Sequence, residues 1–460
     1  MNIILHSPID GRVVAERTLA SAEEISASVD RAINAQLSWK QVGLSERAVI
    51  CHKAIDYFVQ NQESIAEEIT LQMGRPIQYA AGEVRGIEER GRYMIDVAET
   101  ALADELIEEH AGFNRFIRHE PLGVVVTIAP WNYPYLTAVN SIIPAIMAGN
   151  SLVLKHSNQS FLCAERFAEA FQQAGLPDGV FQYLHLDHES TSALINHERV
   201  DFVSFTGSVA GGKKIEKTLA GSFKGLALEL GGKDPAYIRE DANLAHAIES
   251  VLDGAFFNSG QSCCGIERVY VHESLYERFL TGAINQVYEH KLGNPLDQET
   301  TIGPMVNANA AASVRQQIED AVAQGARVGV DQHYFDQNEE GTAYIAPQIL
   351  SHVNHQMSVM AEESFGPVIG VMSVANDEEA IKLMNDSQYG LTASIWTEDE
   401  ELALAIGDQL ETGTVFMNRC DYLDPALPWA GVKQSGRGCA LSVLGYQQLT
   451  RPKSFHLKRI

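Results

Sequence analysis

Basic residues are scarce: 34 Lys and Arg stand against 60 Asp and Glu, a formal net charge of −26 over 460 residues. A field of that sign repels phosphate backbones and anionic lipid headgroups, so neither nucleic acid nor a membrane surface is an expected partner. No stretch of about eighteen apolar residues occurs, and the longest candidate, residues 122–130, is too short and ends in proline. Cysteine is sparse and scattered, six residues at 51, 163, 263, 264, 420 and 439. That spread makes neither a disulfide framework nor paired CxxC knuckles, and reduced thiols in a cytoplasm are the expectation. The 15 His form no HExxH and no Cys/His ligand spacing, so no catalytic metal is expected. Residues 1–16 lack a basic segment leading into a sustained apolar run and read as a hairpin around Asp10-Gly11.

What is there is an ordinary folded chain, 45% hydrophobic and 20% charged, long enough for two or three domains. Ser21-Ala22-Glu23-Glu24 is a capping box, and Ile25, Val29 and Ile33 follow at helical spacing. A second helical tract is expected over 45–74 and a third, richer in charge, over 80–103. Residues 113–119 alternate basic and apolar side chains, as an exposed ribbon does. From Ser151 onward, short apolar runs near 152–154, 180–184, 202–205 and 226–230 alternate with helical patterns, which predicts βαβ units and a parallel sheet with ligands beyond its carboxyl ends. A second α/β lobe is expected after a boundary near Gly231-Gly232. The alternating terminal run 454–458 needs an edge to pair with, near residue 115 of this chain or a neighbour, which suggests an oligomer.

Several motifs can carry chemistry. Gly260-Gln261-Ser262-Cys263-Cys264-Gly265 sets a thiol on a Gly-bracketed loop, where backbone amides lower thiol pKa, although a Cys pair is as often plain core. Glu229 ends an apolar run before Gly231-Gly232, which fits a general base or a water-facing edge carboxylate. Pro130-Trp131-Asn132-Tyr133-Pro134 reads as a rigid irregular loop that either packs its aromatics or aims the Asn132 amide at an oxyanion. Phe205-Thr206-Gly207-Ser208, with Gly211 and Gly212 in the next turn, opens a helix at an anion site but matches neither GxGxxG nor a Walker loop. Lys155 follows a strand where a ribose or phosphate partner belongs, and Glu362-Glu363-Ser364-Phe365-Gly366-Pro367 is an acidic pair before a turn. Each motif alone leaves its bland reading open.

Their conjunction and order resemble the aldehyde dehydrogenase superfamily over essentially the whole chain. The matches are the Pro-Trp-Asn loop at Trp131, the Lys turn at Lys155, Phe-Thr-Gly-Ser from Phe205, Glu-Leu-Gly-Gly-Lys from Glu229, Gly-Gln-x-Cys from Gly260 and Glu-x-Phe-Gly-Pro from Glu363. The resemblance implies an α/β fold of two parallel-sheet domains plus a protruding oligomerisation β-ribbon. It implies an NAD(P)-binding domain over 1–103 and 122–231, a catalytic domain over 232–440, and the ribbon and terminal strand over 104–121 and 441–460. It makes Cys263 the nucleophile, Asn132 and the Cys263 amide the oxyanion donors, and Glu229 the base that activates water against a thioester. It sets Trp131, Lys155, Ser157, Asn158, Thr206, Gly207, Ser208, Gly212, Leu230, Glu363 and Phe365 around NAD or NADP. The substrate entrance is expected at Tyr133, Asn140, Ser262, Arg419 and Trp429, and a homodimer or homotetramer is implied.

Two positions depart from the family pattern. The usual Lys-Pro-Ser-Glu turn reads Lys155-His156-Ser157-Asn158, and without that carboxylate the preference for NAD over NADP should relax. Near the end, Cys439-Ala440 replaces a common Arg-Glu, so terminal anchoring is expected to differ. Arg419 is the candidate to hold a substrate carboxylate, which would suit succinate semialdehyde or a similar ω-oxo acid, unless it pairs with Asp421. A cofactor-free thiol esterase and a structural protein on the same fold are the competing classes.

Overall fold

A computed structural model describes residues 1–108 and 110–460. Two open sheets dominate it, and their carboxyl ends define the functional crevice. The first has six strands in the order Gly436–Arg437, Gly225–Glu229, Phe202–Thr206, Val124–Ala129, Ser151–His156, Phe181–Tyr183. All pair parallel except Gly436–Arg437. Val124–Ala129 and Ser151–His156 are buried along their whole length. Both faces are covered, so these strands read as continuous apolar runs rather than alternating ones. Val125, Leu152 and Leu154 point into one core with helices Gly82–Ala101, Pro134–Met147 and Leu162–Ala174. Val124, Val126 and Val153 point into the other, with Ala22–Trp39 and Val209–Leu219.

After Val124–Ala129 the chain builds outward on one side and then returns to build on the other. That reversal makes a crevice at the carboxyl ends of Val124–Ala129 and Phe202–Thr206, where Pro130-Trp131-Asn132 and Gly207-Ser208 begin. The second sheet has the order Arg327–Val328, Gln348–Ser351, Val368–Val374, Ile266–His272, Asp234–Ile238, Thr392–Trp396, Thr414–Met417, with only Arg327–Val328 antiparallel. A third sheet is the ribbon. Thr450–Lys458 pairs antiparallel with Phe113–Pro121 of the same chain over nine residues, so the terminal strand finds its edge within its own subunit.

The expected amino-terminal hairpin is present as Asn2–His6 and Val13–Thr18. The tract expected over 45–74 is two helices, Leu44–Gln60 and Gln62–Met73, because Asn61 leaves helical geometry and turns its amide onto the Tyr57 carbonyl. Helix Pro134–Met147 was not anticipated. Pro134 and Pro144 look like loop punctuation, yet Pro134 occupies the helix start, where its missing N–H costs nothing. Residues 436–437, expected with the catalytic lobe, lie instead on the first sheet, with Gly436 opposite Glu229. Among the described residues no helix is long and apolar enough to cross a membrane.

Ser21 accepts from the Glu24 amide at 3.2 Å while Glu24 accepts from the Ser21 amide at 2.7 Å. Ser21→Ala should cost about 1 kcal/mol of local stability and speed amide exchange in the first turn of Ala22–Trp39 about fivefold, as read by hydrogen–deuterium exchange.

Candidate active site

Strand Val124–Ala129 ends in a bend that delivers Asn132 and Tyr133 to the start of helix Pro134–Met147. The Glu83 carboxylate, fully buried, accepts from the Tyr135 and Leu136 amides at 3.1 and 3.0 Å. An anion there complements the helix dipole and satisfies two orphan donors. Glu83 also takes Arg75 Nη1 at 2.7 Å, and Arg75 is itself 2% exposed. Through Nη2 the guanidinium reaches the Asn132 carbonyl at 2.5 Å, through Nε the Asn258 side chain at 3.1 Å, and it lies 4.5 Å from the Tyr133 ring centroid.

Asn258 begins the loop that carries Cys263. Asn258, Ser259 and Gly260 are consecutively left-handed, with φ of 54°, 58° and 71°. Non-glycine residues pay for that conformation, and the loop is held against it from several sides. Ser259 Oγ donates to the Gly303 carbonyl at 2.8 Å, and Gln261 Oε1 accepts from the Val306 amide at 2.8 Å. Gly260 has no substitute, since a Cβ there would sit 2.3 Å from the Gly366 carbonyl oxygen. Asn132 Nδ2 and Asn258 Nδ2 both donate to the Gln261 carbonyl, at 3.1 and 3.2 Å. Asn132 is therefore tied two residues upstream of Cys263, beneath the loop.

Cys263 and Glu229 face one cavity of about 390 Å³ between the two sheets. Cys263 keeps partial exposure, whereas Cys264 is buried and its Sγ donates to Asp421 Oδ1 at 2.8 Å. The hydrogen bond with Cys263 and then burial push the Cys264 thiol well up, which disfavours its thiolate. Desolvation raises the Glu229 carboxyl to about 7, opposed by the Thr206 hydroxyl donating at 3.1 Å and by the Arg90 charge. A carboxylate tuned near neutrality is suited to take and return protons. Asp421 is raised to about 6, again chiefly by burial.

Tyr133, Asn140, Ser262 and Trp429 line the cavity as expected, joined by Thr137, Leu136 and Phe257. Arg419 does not. It is exposed, and its guanidinium lies 4.1 Å over the Tyr422 ring. Among the described residues it makes no ion pair with Asp421. Asp421, at φ 47°, turns inward to accept from Ser262 and Cys264. Arg419, expected at the substrate entrance, thus stands outside the cavity lining, behind Tyr422, which is part of it.

At the carboxyl ends of the first sheet, Ser208 caps helix Val209–Leu219, its Oγ accepting from the Gly211 amide at 3.1 Å. A Cβ on Gly207 or Gly211 would come within 2.7 Å of the Phe205 ring, and one on Gly212 within 2.7 Å of Leu230, so the turn is built for close backbone approach. Lys155 is buried, lowered to about 8, and donates to Asn158 Oδ1 at 3.3 Å. Ser157 accepts from the Gln159 amide at 3.3 Å in the same turn. Glu363 accepts from the Gly232 amide at 3.1 Å and is raised to about 8 by burial and by Glu267. Trp131 meets Phe365 edge-on with centroids 5.6 Å apart. A helix N-terminus, a buried amine and hydroxyls along one crevice are a donor set that fits a dinucleotide.

Arg75, Glu83, Asn258 and Asp421 were missed. Nothing in the spacing of a charged residue after a helix stop separates Arg75 from an ordinary surface arginine. Asn258, one residue before the Ser259-Gly260 pair, carried the only available signal, since Asn tolerates left-handed backbone.

The Aldehyde dehydrogenase family profile matches residues 2–455, and the chain belongs to that family. A protein of Synechocystis named "Probable succinate-semialdehyde dehydrogenase [NADP(+)]" is 34% identical over 99% of both chains. A "Probable betaine aldehyde dehydrogenase" of Schizosaccharomyces pombe is 32% identical over 98% of this chain and 91% of its own. The NAD+ complex of an aldehyde dehydrogenase from Bacillus cereus superposes with a TM-score of 0.95 at 32% identity, covering 100% of this chain and 93% of its own. The fold is accordingly that of aldehyde dehydrogenases, and the chain is an NAD(P)-dependent aldehyde dehydrogenase that oxidises aldehydes with NAD or NADP.

Two outcomes follow from this geometry. Arg75→Leu leaves Glu83 buried without its cation and should cost about 3–5 kcal/mol of stability, read as a lowered denaturant midpoint. The Glu229 carboxyl binds its proton more tightly folded than unfolded, so its cost is absent below about 4.5 and complete above about 7. Glu229→Gln should therefore raise Tm more at pH 8 than at pH 4.5; an equal gain at both would show that the group is not raised.

Proposed function

We propose that Cys263 attacks the aldehyde carbon, that Asn132 and the Cys263 amide stabilise the oxyanion, and that Glu229 activates the hydrolytic water. The observation that carries this reading is that Cys263 and Glu229 share one cavity, with Glu229 raised to about 7. Glu229 takes the thiol proton directly or through water, sulfur bonds to the carbonyl carbon, and the charge gathering on oxygen needs donors already in place. We assign that role to the Asn132 amide, whose Nδ2 spends one N–H on the Gln261 carbonyl at 3.1 Å and has a second for the oxyanion, its backbone carbonyl being held by Arg75. The nicotinamide, when bound, supplies the two-electron acceptor that converts the sulfur adduct to a thioester. Glu229 passes the thiol proton on to solvent and, ionised again, draws a proton from water as the water oxygen bonds to the acyl carbon; the carbon–sulfur bond then breaks, the acid leaves, and that proton returns to sulfur to restore the thiol. A cofactor-free esterase would leave the Lys155, Ser208 and Glu363 crevice without a use.

Cofactor contacts are assigned to Trp131, Lys155, Ser157, Asn158, Thr206, Gly207, Ser208, Gly212, Leu230, Glu363 and Phe365. Lys155 beside a neutral Asn158 favours a 2′-phosphate, in line with the NADP(+) in the Synechocystis relative's name. The ribbon formed by Thr450–Lys458 and Phe113–Pro121 supports a homodimer or homotetramer, and six free cysteines support a reducing compartment such as the cytoplasm.

Absorbance at 340 nm on mixing the protein, either cofactor and short aldehydes tests the assignment. Wild type should reduce the cofactor, and Cys263→Ala should abolish this with the fold intact; retained reduction in that variant would refute the nucleophile. For the cofactor, kcat/KM should favour NADP, and Asn158→Glu should move the ratio toward NAD at least tenfold. A hundredfold preference of wild type for NAD, about 2.7 kcal/mol, would reject the role given to Lys155 and Asn158.

A further inference from the structure

We infer that the aldehyde this site takes carries a hydroxyl group near its reacting carbon, bound by Asn140, rather than a carboxylate. The inference rests on the proposed role of the Cys263 cavity and names its substrate class. Asn140 projects from helix Pro134–Met147 into the cavity wall and is 4% exposed, yet neither Oδ1 nor Nδ2 has a hydrogen-bond partner. A buried carboxamide left unmet on both atoms is costly, and such groups in a binding cavity are completed by ligand or water. The neighbouring Tyr133 hydroxyl is also buried without a partner of good geometry.

The two orphaned atoms specify the missing group. Oδ1 asks for a donor and Nδ2 for an acceptor, and a hydroxyl is both. A carboxylate only accepts and an ammonium only donates, so each would leave one amide atom unmet. Charge argues further against a carboxylate. Asp421, Asp253 and Glu89 line the same cavity and make no ion pair among the described residues. The buried cation there, Arg90, already donates Nη1 to the Leu136 carbonyl at 2.9 Å. Arg85 stands exposed in the cavity wall. An ω-oxo acid would meet more anions than free cations.

The test compares kcat/KM for 2-hydroxypropanal, 3-hydroxypropanal, propanal and 4-oxobutanoate with the preferred cofactor. One of the hydroxyaldehydes should exceed propanal at least tenfold and 4-oxobutanoate by more, because a site built to bond a hydroxyl discriminates against the analogue lacking it. In Asn140→Leu and Asn140→Ala the hydroxyl-to-propanal ratio should collapse to within threefold. A wild-type ratio near one would mean that water already completes the amide, and a preference for 4-oxobutanoate would mean that a cation is recruited; either overturns the inference. A ratio that survives in both variants also overturns it. Should neither variant fold, the wild-type ratios alone decide. Reduction of the cofactor by propanal with no hydroxyl preference leaves the dehydrogenase reading standing, whereas no reduction by any of the four removes both.

Discussion

A single buried cation holds this site together. Arg75 is almost fully enclosed and has four partners drawn from three stretches of chain: the Glu83 carboxylate, the Asn132 carbonyl, the Asn258 side chain and the face of Tyr133. Burying a guanidinium is tolerable only when its donors are matched and its charge is met. The match is made by groups that would otherwise be in difficulty themselves, since Glu83 is enclosed and the Asn132 carbonyl lies buried in the bend beyond the strand end, outside any ladder. The Asn132 loop, the Cys263 loop and the helix Pro134–Met147 are thereby fixed to one another. Preorganisation of this sort is what lets donors stabilise developing charge without moving at the moment of reaction.

The same low-dielectric surroundings explain the acid–base behaviour. Glu229 sits at the end of an otherwise apolar strand, and only the Thr206 hydroxyl and the more distant Arg90 oppose its desolvation. Full pairing with a cation would have pulled the carboxyl down and made it a poor base at neutral pH. Lys233, four residues on, shows the contrast. It is buried too, but pairs directly with Glu267, whose oxygens also take the Ser364 and Phe365 amides. That carboxylate is consumed in holding the Glu363–Phe365 turn, while Glu229 is left free to exchange protons.

Much of the layout was legible because it obeys local rules. The Ser21 capping box, the fully apolar strands of the first sheet and the Gly-rich turn after Phe205 each have a one-dimensional signature that the fold respects. That Cys263 and Glu229 deserve notice was signalled by their company, a thiol among glycines and a carboxylate among aliphatics, and the two face one cavity. What escaped depends on contacts far apart in sequence. Arg75 and Asn258 lie 183 residues apart, and no periodicity links them. Helix Pro134–Met147 escaped because proline signals both a helix start and a break, and only the partner at its N-terminus, Glu83, decides between them. Arg419 lies outside the cavity lining because its guanidinium stacks on Tyr422, in a segment whose left-handed turns at Asn418 and Asp421 carry no glycine signal in the sequence.

The glycines of the crevice complete the argument, since they set how closely two separately built lobes can approach. A Cβ on Gly232 would lie 2.3 Å from the Cys263 carbonyl oxygen, and one on Gly231 would fall 2.2 Å from the Glu363 carboxylate. The turn after Glu229 therefore presses bare backbone against both the Cys263 loop and the acidic turn of the second lobe. Any side chain there would have to force these segments apart. The pairing of Gly436 with Glu229 works from the other side, since a Cβ on Gly436 would meet the Leu228 carbonyl at 1.9 Å. Strand Gly225–Glu229 is thus clamped at its carboxyl end by a segment that returns from the far end of the chain. The reach of Glu229 into the cavity is a consequence of backbone packing on both flanks, more than of any bond its own carboxylate makes.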